Sequence, residues 1–381
     1  MRNFARSNYL ALLKEIFLNP GIMRYEMSER LDMSSATVTK YVEMMIRDGI
    51  IREADNHKGR KVALTLTKDW YAALGVDIGG YQTRIGMFYA DGSFTKLDEV
   101  RTPGDPRELM PLIQKYERNA DTVGIAVTAV VDAAEQRIFI FANQRTWDGF
   151  SFRTAGISKP VFLTTSGNAA AGYEKRFGTL KPYENCMHVM IGTGIQAGLF
   201  INNTLVEGAN HAAGEFGHVF STAEAGPCTC GKVGCLENIA TISMVQRRLE
   251  KQMRDGNLRG TLAMLCGNDP SKMTIDILKR SIAENDPQVM ADFKRVTEAI
   301  AAALSGIVNV LNPEAVSFGG RMIDVYPGLV NDLQQAVRLT VLESNSKHLT
   351  IAAGKEPLLA ACIGAALIPM EHRINTFGGT T

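Results

Sequence analysis

The sequence predicts an α/β protein with a small winged helix-turn-helix domain at its front. Residues 1–70 show apolar positions at helical spacing and end in a short basic hairpin. After Asp69-Trp70 the texture changes to apolar strands broken by glycine turns, and such a turn recurs three times. A chain of 381 residues has room for two or three domains with proper cores.

The first domain, residues 1–70, reads as three helices and a hairpin. Leu10, Leu13, Ile16 and Phe17 recur at helical spacing and stop at Asn19-Pro20-Gly21. A second helix is expected over about Tyr25–Leu31, with Met27 and Leu31 inward. Asp32-Met33-Ser34-Ser35 then turns the chain, and Ser34 or Ser35 can cap the next helix. This third helix, to about Arg47, should bury Val38, Val42, Met45 and Ile46 and present Ser35, Ala36, Thr37, Thr39 and Lys40. Helix, turn and capped helix at this spacing is the helix-turn-helix plan, whose last helix enters the major groove of double-stranded DNA. Ile50-Ile51-Arg52 and Val62–Leu66 alternate as strands around a polar turn holding Lys58, Arg60 and Lys61. Such a wing reaches phosphate or a narrow minor groove with its basic tip. Ser35, Thr37, Thr39, Lys40, Lys58, Arg60 and Lys61 are therefore the candidate DNA contacts, against the alternative of a docking module with solvated charges. One such domain covers few base pairs, so a homodimer or higher homo-oligomer on paired half-sites is expected.

In the second domain, Ala73–Ile78 is a buried strand running into Gly79-Gly80, and Thr83–Tyr89 returns through a hairpin at Ala90-Asp91-Gly92. Gly192-Thr193-Gly194 and Gly319-Gly320 close two further apolar strands. Glycine turns at strand ends expose backbone N–H groups to phosphate oxygens, and three in this order suggest a repeated nucleotide-cradling fold.

One loop carries a metal signature. His218, Cys228, Cys230 and Cys235 offer three thiolates and an imidazole, the ligand set of a closed structural zinc site. A disulfide is the alternative, but three clustered cysteines leave one unpaired. Cys186, Cys266 and Cys362 lie outside the pattern and read as buried free thiols. The net charge of +1 gives no global attraction to nucleic acid or membrane, although residues 1–70 hold twelve Lys/Arg against nine Asp/Glu. The N-terminal stretch is interrupted by Arg, Lys and Glu, so no secretory signal is expected. The run Ala299–Leu311 is too short and polar to span a bilayer, so a cytoplasmic protein without a membrane partner is expected.

The motifs DIGG (Asp77–Gly80), GTG (Gly192–Gly194), GEFGH (Gly214–His218), CTCGKVGCLE (Cys228–Glu237) and FGG (Phe318–Gly320) together resemble the ROK family. That family groups bacterial sugar kinases with related transcriptional repressors, and the matching stretches run from residue 74 to about 368. The resemblance implies an actin/hexokinase-like domain over 71–381. Its small lobe would be about 71–185 plus the C-terminal helix, and its large lobe about 186–365. It also implies an N-terminal winged helix-turn-helix, as the repressors of the family carry.

Carried over position by position, the resemblance assigns nucleotide phosphate and associated metal to Asp77, Gly79, Gly80, Gly192, Thr193, Gly194, Gly319 and Gly320. The residue after DIGG is usually Thr but is the bulky Tyr81 here, which weighs against ATP and Mg²⁺ binding. Sugar-side roles fall to Asn143, Thr165, Ser166, Glu215, His218 and Glu237. His218 can ligate zinc through one ring nitrogen and face the sugar or a further partner with the other. The family's catalytic Asp, the base that takes the proton from the sugar hydroxyl, aligns with Ser166, and its Asn neighbour with Thr165. A serine has no accessible anion near neutral pH, and loss of such a base costs on the order of 10²–10⁴ in rate. The expected function is a sugar-responsive transcriptional regulator, most simply a repressor, that binds a sugar or sugar phosphate without phosphorylating it. The alternative is an active ATP-dependent sugar kinase with an attached DNA-binding domain. The exchange of Asp for Ser166 also removes a charge near the sugar 6-position, which predicts a preference for a 6-phosphate, against the alternative of simple drift once catalysis was lost.

Overall fold

The computed structural model describes residues 3–53 and 62–377; the expected wing tip, with Lys58, Arg60 and Lys61, lies outside the described residues. The N-terminal module is α1 (Asn3–Leu18), β1 (Ile22–Met23), α2 (Arg24–Arg30), α3 (Ser35–Arg47), β2 (Ile51–Glu53) and β3 (Ala63–Leu66). β3 pairs antiparallel with both β1 and β2, so the two-residue β1, which hydrophobic patterning does not reveal, completes a three-stranded sheet. Ser34 caps α3, its hydroxyl accepting from the Thr37 N–H at 3.2 Å. Tyr41 takes the buried place expected for Ile46, because residue 41 lies three after Val38 and four before Met45 on one helix face.

The remainder contains two mixed sheets of the same plan. In the first, β4 (Ala72–Ile78), β5 (Gln82–Tyr89) and β6 (Phe94–Arg101) form an antiparallel meander. After α4 (Met110–Glu117), β7 (Thr122–Val127) adds parallel to β4; a hairpin of β8 (Val130–Asp132) and β9 (Arg137–Ile140) intervenes before β10 (Val161–Thr165) adds parallel to β7. α5 (Ser166–Arg176) leads to the second sheet, where β11 (Cys186–Ile191), β12 (Ile195–Ile201) and β13 (Thr204–Leu205) repeat the meander. The helices α6 (Glu237–Ala240), α7 (Ile242–Arg254), α8 (Thr261–Cys266), α9 (Ile275–Ala283) and α10 (Pro287–Leu311) come next. Then β14 (Ala315–Gly319) adds parallel to β11, and α11 (Arg321–Val325), α12 (Leu329–Arg338) and α13 (Glu343–Ser346) precede β15 (Thr350–Ala353), parallel to β14. The chain closes on α14 (Ala360–Thr376). No helix among the described residues is long and apolar enough to cross a membrane.

α14 returns to the first sheet and lies almost on its backbone. A Cβ at Gly124 of β7 would fall 1.8 Å from the Ala365 carbonyl oxygen, so only glycine permits the approach. The far end of α14 reaches the N-terminal module, where Phe377 stacks on Tyr9 at 5.9 Å and Arg373 lies over Trp70 and Phe377. Phe17 meets Phe177 edge-on at 5.7 Å, and Lys181 donates to the Leu18 carbonyl. One apolar core therefore runs from Leu12, Phe17 and Met45 into Ala361, Ala366 and Met370, while the large lobe has a separate core of its own. Phe17→Ala should cost about 3–5 kcal/mol, read as a lower urea midpoint. Because the core is shared, the N-terminal module and small lobe should still unfold in one transition.

Candidate functional site

The metal loop hangs below β12. A one-turn helix at Phe216–His218 presents the imidazole, and the bridges Phe220↔Cys235 and Pro227↔Val233 fold the cysteine segment back on it. The ligand atoms of His218, Cys228, Cys230 and Cys235 all lie within 4.8 Å of one another. Cys230 and Cys235 Sγ are 3.6 Å apart, and Cys228 Sγ is 3.9 Å from His218 Nδ1. A tetrahedron of thiolates and imidazole around zinc has edges of about 3.4–3.8 Å, so this donor set fits a closed site. The sulfur separation is far beyond a disulfide bond of about 2 Å, and all six cysteines are free.

The end of the same loop packs on Gly194, which borders the interlobe cavity. His218 turns Nδ1 to the thiols and Nε2 toward Glu215 Oε2, 3.9 Å away, the division of labour expected for its two nitrogens. Glu237 opens α6 and accepts the Ile195 N–H at 2.9 Å. Burial pushes the carboxyl groups of both Glu215 and Glu237 above their ordinary range. A Cβ at Gly194 would meet Glu237 Oε2 and Thr128 Cγ2 at 3.1 Å each, so the GTG turn is held small to let these groups converge. Asn143 joins from the small lobe, donating to the Thr193 carbonyl at 3.3 Å. The cavity between the lobes has a volume of about 630 Å³, ample for a sugar; Asp77, Arg84, Thr128, Ser166, Gly194 and Gln196 are among the residues that line it, whereas Asn143, Thr165, Glu215, His218 and Glu237 are not.

Ser166 is the first residue of α5 and is fully enclosed. Its hydroxyl donates to Asp77 Oδ1 at 2.8 Å and accepts from Thr128 Oγ1 at 3.2 Å. The family's Asp is absent at this position, but Asp77 stays in hydrogen-bond contact with Ser166. Thr165 also departs from its expected sugar-side role. Its buried side chain caps α5 by accepting the Asn168 N–H at 3.2 Å and is not among the residues lining the cavity.

The glycine turns border the cavity at Gly79, Gly192, Thr193, Gly194 and Gly320, but part of their N–H groups bond within the chain. The N–H groups of Gly79, Gly192 and Gly320 donate to the carbonyls of Gln82, Gly194 and Pro357 at 3.0, 2.9 and 2.6 Å. Gly80 and Gly319 pack close to Asn143 and His188, and Tyr81, 56% exposed with Arg101 over its ring, borders the cavity. Sequence reading missed Arg84, whose guanidinium sits 3.8 Å from Asp77 Oδ2 and 3.2 Å from Glu99 Oε1. A signal was present, since the tight turn after Ile78 sets an antiparallel register that pairs Asp77 with Arg84. Arg321, Lys279 and Gln196 were missed too, and no local motif marks them.

On α3 the face expected to read DNA is open to solvent at Ser35, Ala36 and Lys40 and half-buried at Thr37 and Thr39. Thr37 shares its hydroxyl with the capping Ser34 at 2.8 Å.

Residues 73–371 match the ROK family, and residues 10–52 match the winged helix-turn-helix DNA-binding family. The chain is 25% identical to the xylose repressor of Bacillus spizizenii, across 97% of this chain and 96% of that protein. It is 26% identical to the glucokinase of Thermotoga maritima, across 78% of this chain and 97% of the kinase. Among solved structures, a ROK family transcriptional regulator described as a homologue of the E. coli MLC protein superposes with a TM-score of 0.75 at 20% identity, covering 96% of both chains. A ROK family glucokinase from Streptomyces griseus, in complex with glucose and AMPPNP, gives 0.71 at 23% identity over 78% of this chain and 98% of its own. Both structural likenesses are likenesses of fold.

Proposed function

The chain belongs to the ROK family, with a winged helix-turn-helix ahead of the family domain, and from that premise we propose that it is a sugar-responsive transcriptional repressor. Its kinase-like cleft binds a carbohydrate effector and does not phosphorylate it. The observation that carries this reading is Ser166, a buried hydroxyl committed to Asp77 where the kinases of the family need a free carboxylate base. A full-length match to xylose repressors supports the same reading. The DNA-reading face is the exposed start of α3 with the basic wing, and two copies sit on paired half-sites.

Zinc held by His218, Cys228, Cys230 and Cys235 supplies rigidity here, with no open position for chemistry. It fixes the ring of His218 and the start of α6, and so places Glu215 and Glu237 to accept hydrogen bonds from neighbouring sugar hydroxyls. Effector binding draws the lobes together around Gly194. A signal then has a short path, because Pro357 and Leu358 border the cleft and lead directly into α14, whose other end packs on Tyr9. The ligand shifts DNA affinity only by binding the two lobe arrangements unequally.

The test uses duplex DNA selected from a random library by the purified protein. Xylose, glucose and their phosphates are then titrated against the complex by fluorescence anisotropy. One of these sugars should weaken DNA binding by roughly 5–150-fold, the usual span of an allosteric coupling. Glu237→Gln should weaken the sugar response at least about tenfold, since it removes a charged acceptor. Sugar-dependent ADP release from ATP would instead establish the kinase alternative, and DNA binding indifferent to every sugar would overturn the effector role.

A further inference from the structure

The kinase-like fold brings with it the expectation of a magnesium nucleotide bound at Asp77, and the residues around that carboxylate do not fit one. Magnesium asks for oxygen ligands at about 2.0–2.1 Å in an octahedron and keeps several of its waters. Asp77 borders the interlobe cavity but is only 2% exposed, so its carboxyl group presents almost no free surface to a hydrated ion. One of its oxygens is taken by the Ser166 hydroxyl at 2.8 Å. The other faces the Arg84 guanidinium at 3.8 Å, a fixed cation that repels a dication at the same carboxylate. Arg84 is itself largely enclosed, with 11% of its side chain exposed, so it cannot swing away into solvent without losing its partners.

Arg84 belongs to a longer chain of alternating charge. Glu99 Oε1 lies 3.2 Å from Arg84 and 3.9 Å from Arg321, which starts α11 in the large lobe. Arg321 also donates to Gln82 of the small lobe and lies 3.3 Å from Asp324, which Lys279 meets at 2.9 Å. Asp77, Arg84, Glu99, Arg321, Asp324 and Lys279 thus form a line of paired charges that crosses from one lobe to the other.

We infer that Arg84 stands in for the nucleotide's divalent metal, so that the cleft takes its ligand without a metal ion and is closed to magnesium nucleotide. The Arg84 contact is an observation separate from the missing base. A chain could have lost its base and kept a nucleotide site; in this one the nucleotide's metal position is filled by a side chain. Arg84 is accordingly a specificity-determining residue, and the line of charges holds the lobes in register without a bridging cofactor.

The experiment is calorimetric titration of the full-length protein with a non-hydrolysable ATP analogue, in magnesium and in EDTA. Wild-type protein should show no magnesium-dependent binding. Arg84→Ala should bind the analogue at least about tenfold more tightly in magnesium than in EDTA, because an unpaired Asp77 becomes available to the ion. Adding Asp77→Asn to that variant should abolish the gain. If Arg84→Ala does not fold, Arg84→Gln preserves the bulk and is read by the same comparison. Tighter analogue binding in magnesium by the wild-type protein overturns the inference. So does a folded Arg84 variant, judged by its melting curve and DNA binding, that gains no magnesium dependence. Sugar-dependent release of DNA, measured on the same preparations, reports separately on the repressor reading and should persist in the wild-type protein whichever way the nucleotide result falls.

Discussion

Cys230→Ser should empty the metal loop and disable the sugar response while leaving DNA binding intact. A serine hydroxyl stays protonated near neutral pH and cannot replace a thiolate, so the site keeps three ligands and an open position. Zinc content, measured by atomic absorption on purified protein, should fall from about one ion per chain to under about a tenth. The consequence for the cleft comes from the connection between loop and sugar wall. His218 is both a proposed ligand and the neighbour of Glu215, and Cys235 lies two residues before Glu237. Loosening the loop therefore disperses the acceptors that a sugar needs, and the sugar-induced change in DNA affinity should drop at least about tenfold. DNA binding itself should survive, because the N-terminal module packs in the core it shares with α14, apart from the large-lobe core that includes Phe216, Ala225 and Leu236. Full zinc retention in a folded Cys230→Ser protein would exclude the proposed ligand set.

Ser166→Asp, which restores the family's base, should yield no kinase. The new carboxyl would sit against Asp77, whose own carboxyl burial already pushes above its ordinary range against the opposing pull of Arg84 and Ser166. Two carboxylates sharing an enclosed site cannot both ionise cheaply, and the exchange should lower stability by about 2–4 kcal/mol. The sign of its pH dependence is set by the direction of the shift. A carboxyl whose folded pKa is raised is tolerated at low pH and destabilises as pH rises through that value. The deficit of the variant should therefore shrink on acidification toward the ordinary carboxylate range near pH 4, tracked by urea unfolding across pH. A coupled assay with ATP and a sugar panel should show no ADP release above wild type. Release would mean that only the base had been lost and that the cleft still accepts nucleotide.

The parts of this protein legible in its sequence are those written in short segments. The α3 cap at Ser34, the antiparallel turn after Ile78 and the ligand spacing from His218 to Cys235 each depend on residues near one another along the chain. Thr165 shows where such reading fails. Its place in an alignment suggests a sugar contact, yet helix capping claims the same hydroxyl, and the competition is decided by backbone geometry. The Asp77–Arg84 pair lies between these cases, implicit in a hairpin register but visible as chemistry only once both side chains are seen to be enclosed.

By itself the sequence determined the helices and hairpin of the N-terminal module, the glycine-ended strands, the family, the candidate metal loop and the absence of a carboxylate at residue 166, because periodicity, capping and ligand spacing are local properties. Tertiary structure alone decided that Ser166 lies against Asp77, that Glu99 links Arg84 to Arg321 across the cleft, and that α14 ties the small lobe to the N-terminal module. Those contacts join residues tens to hundreds of positions apart. Their existence depends on how two sheets and a returning helix pack, a global result of burying apolar surface that no short stretch of residues encodes.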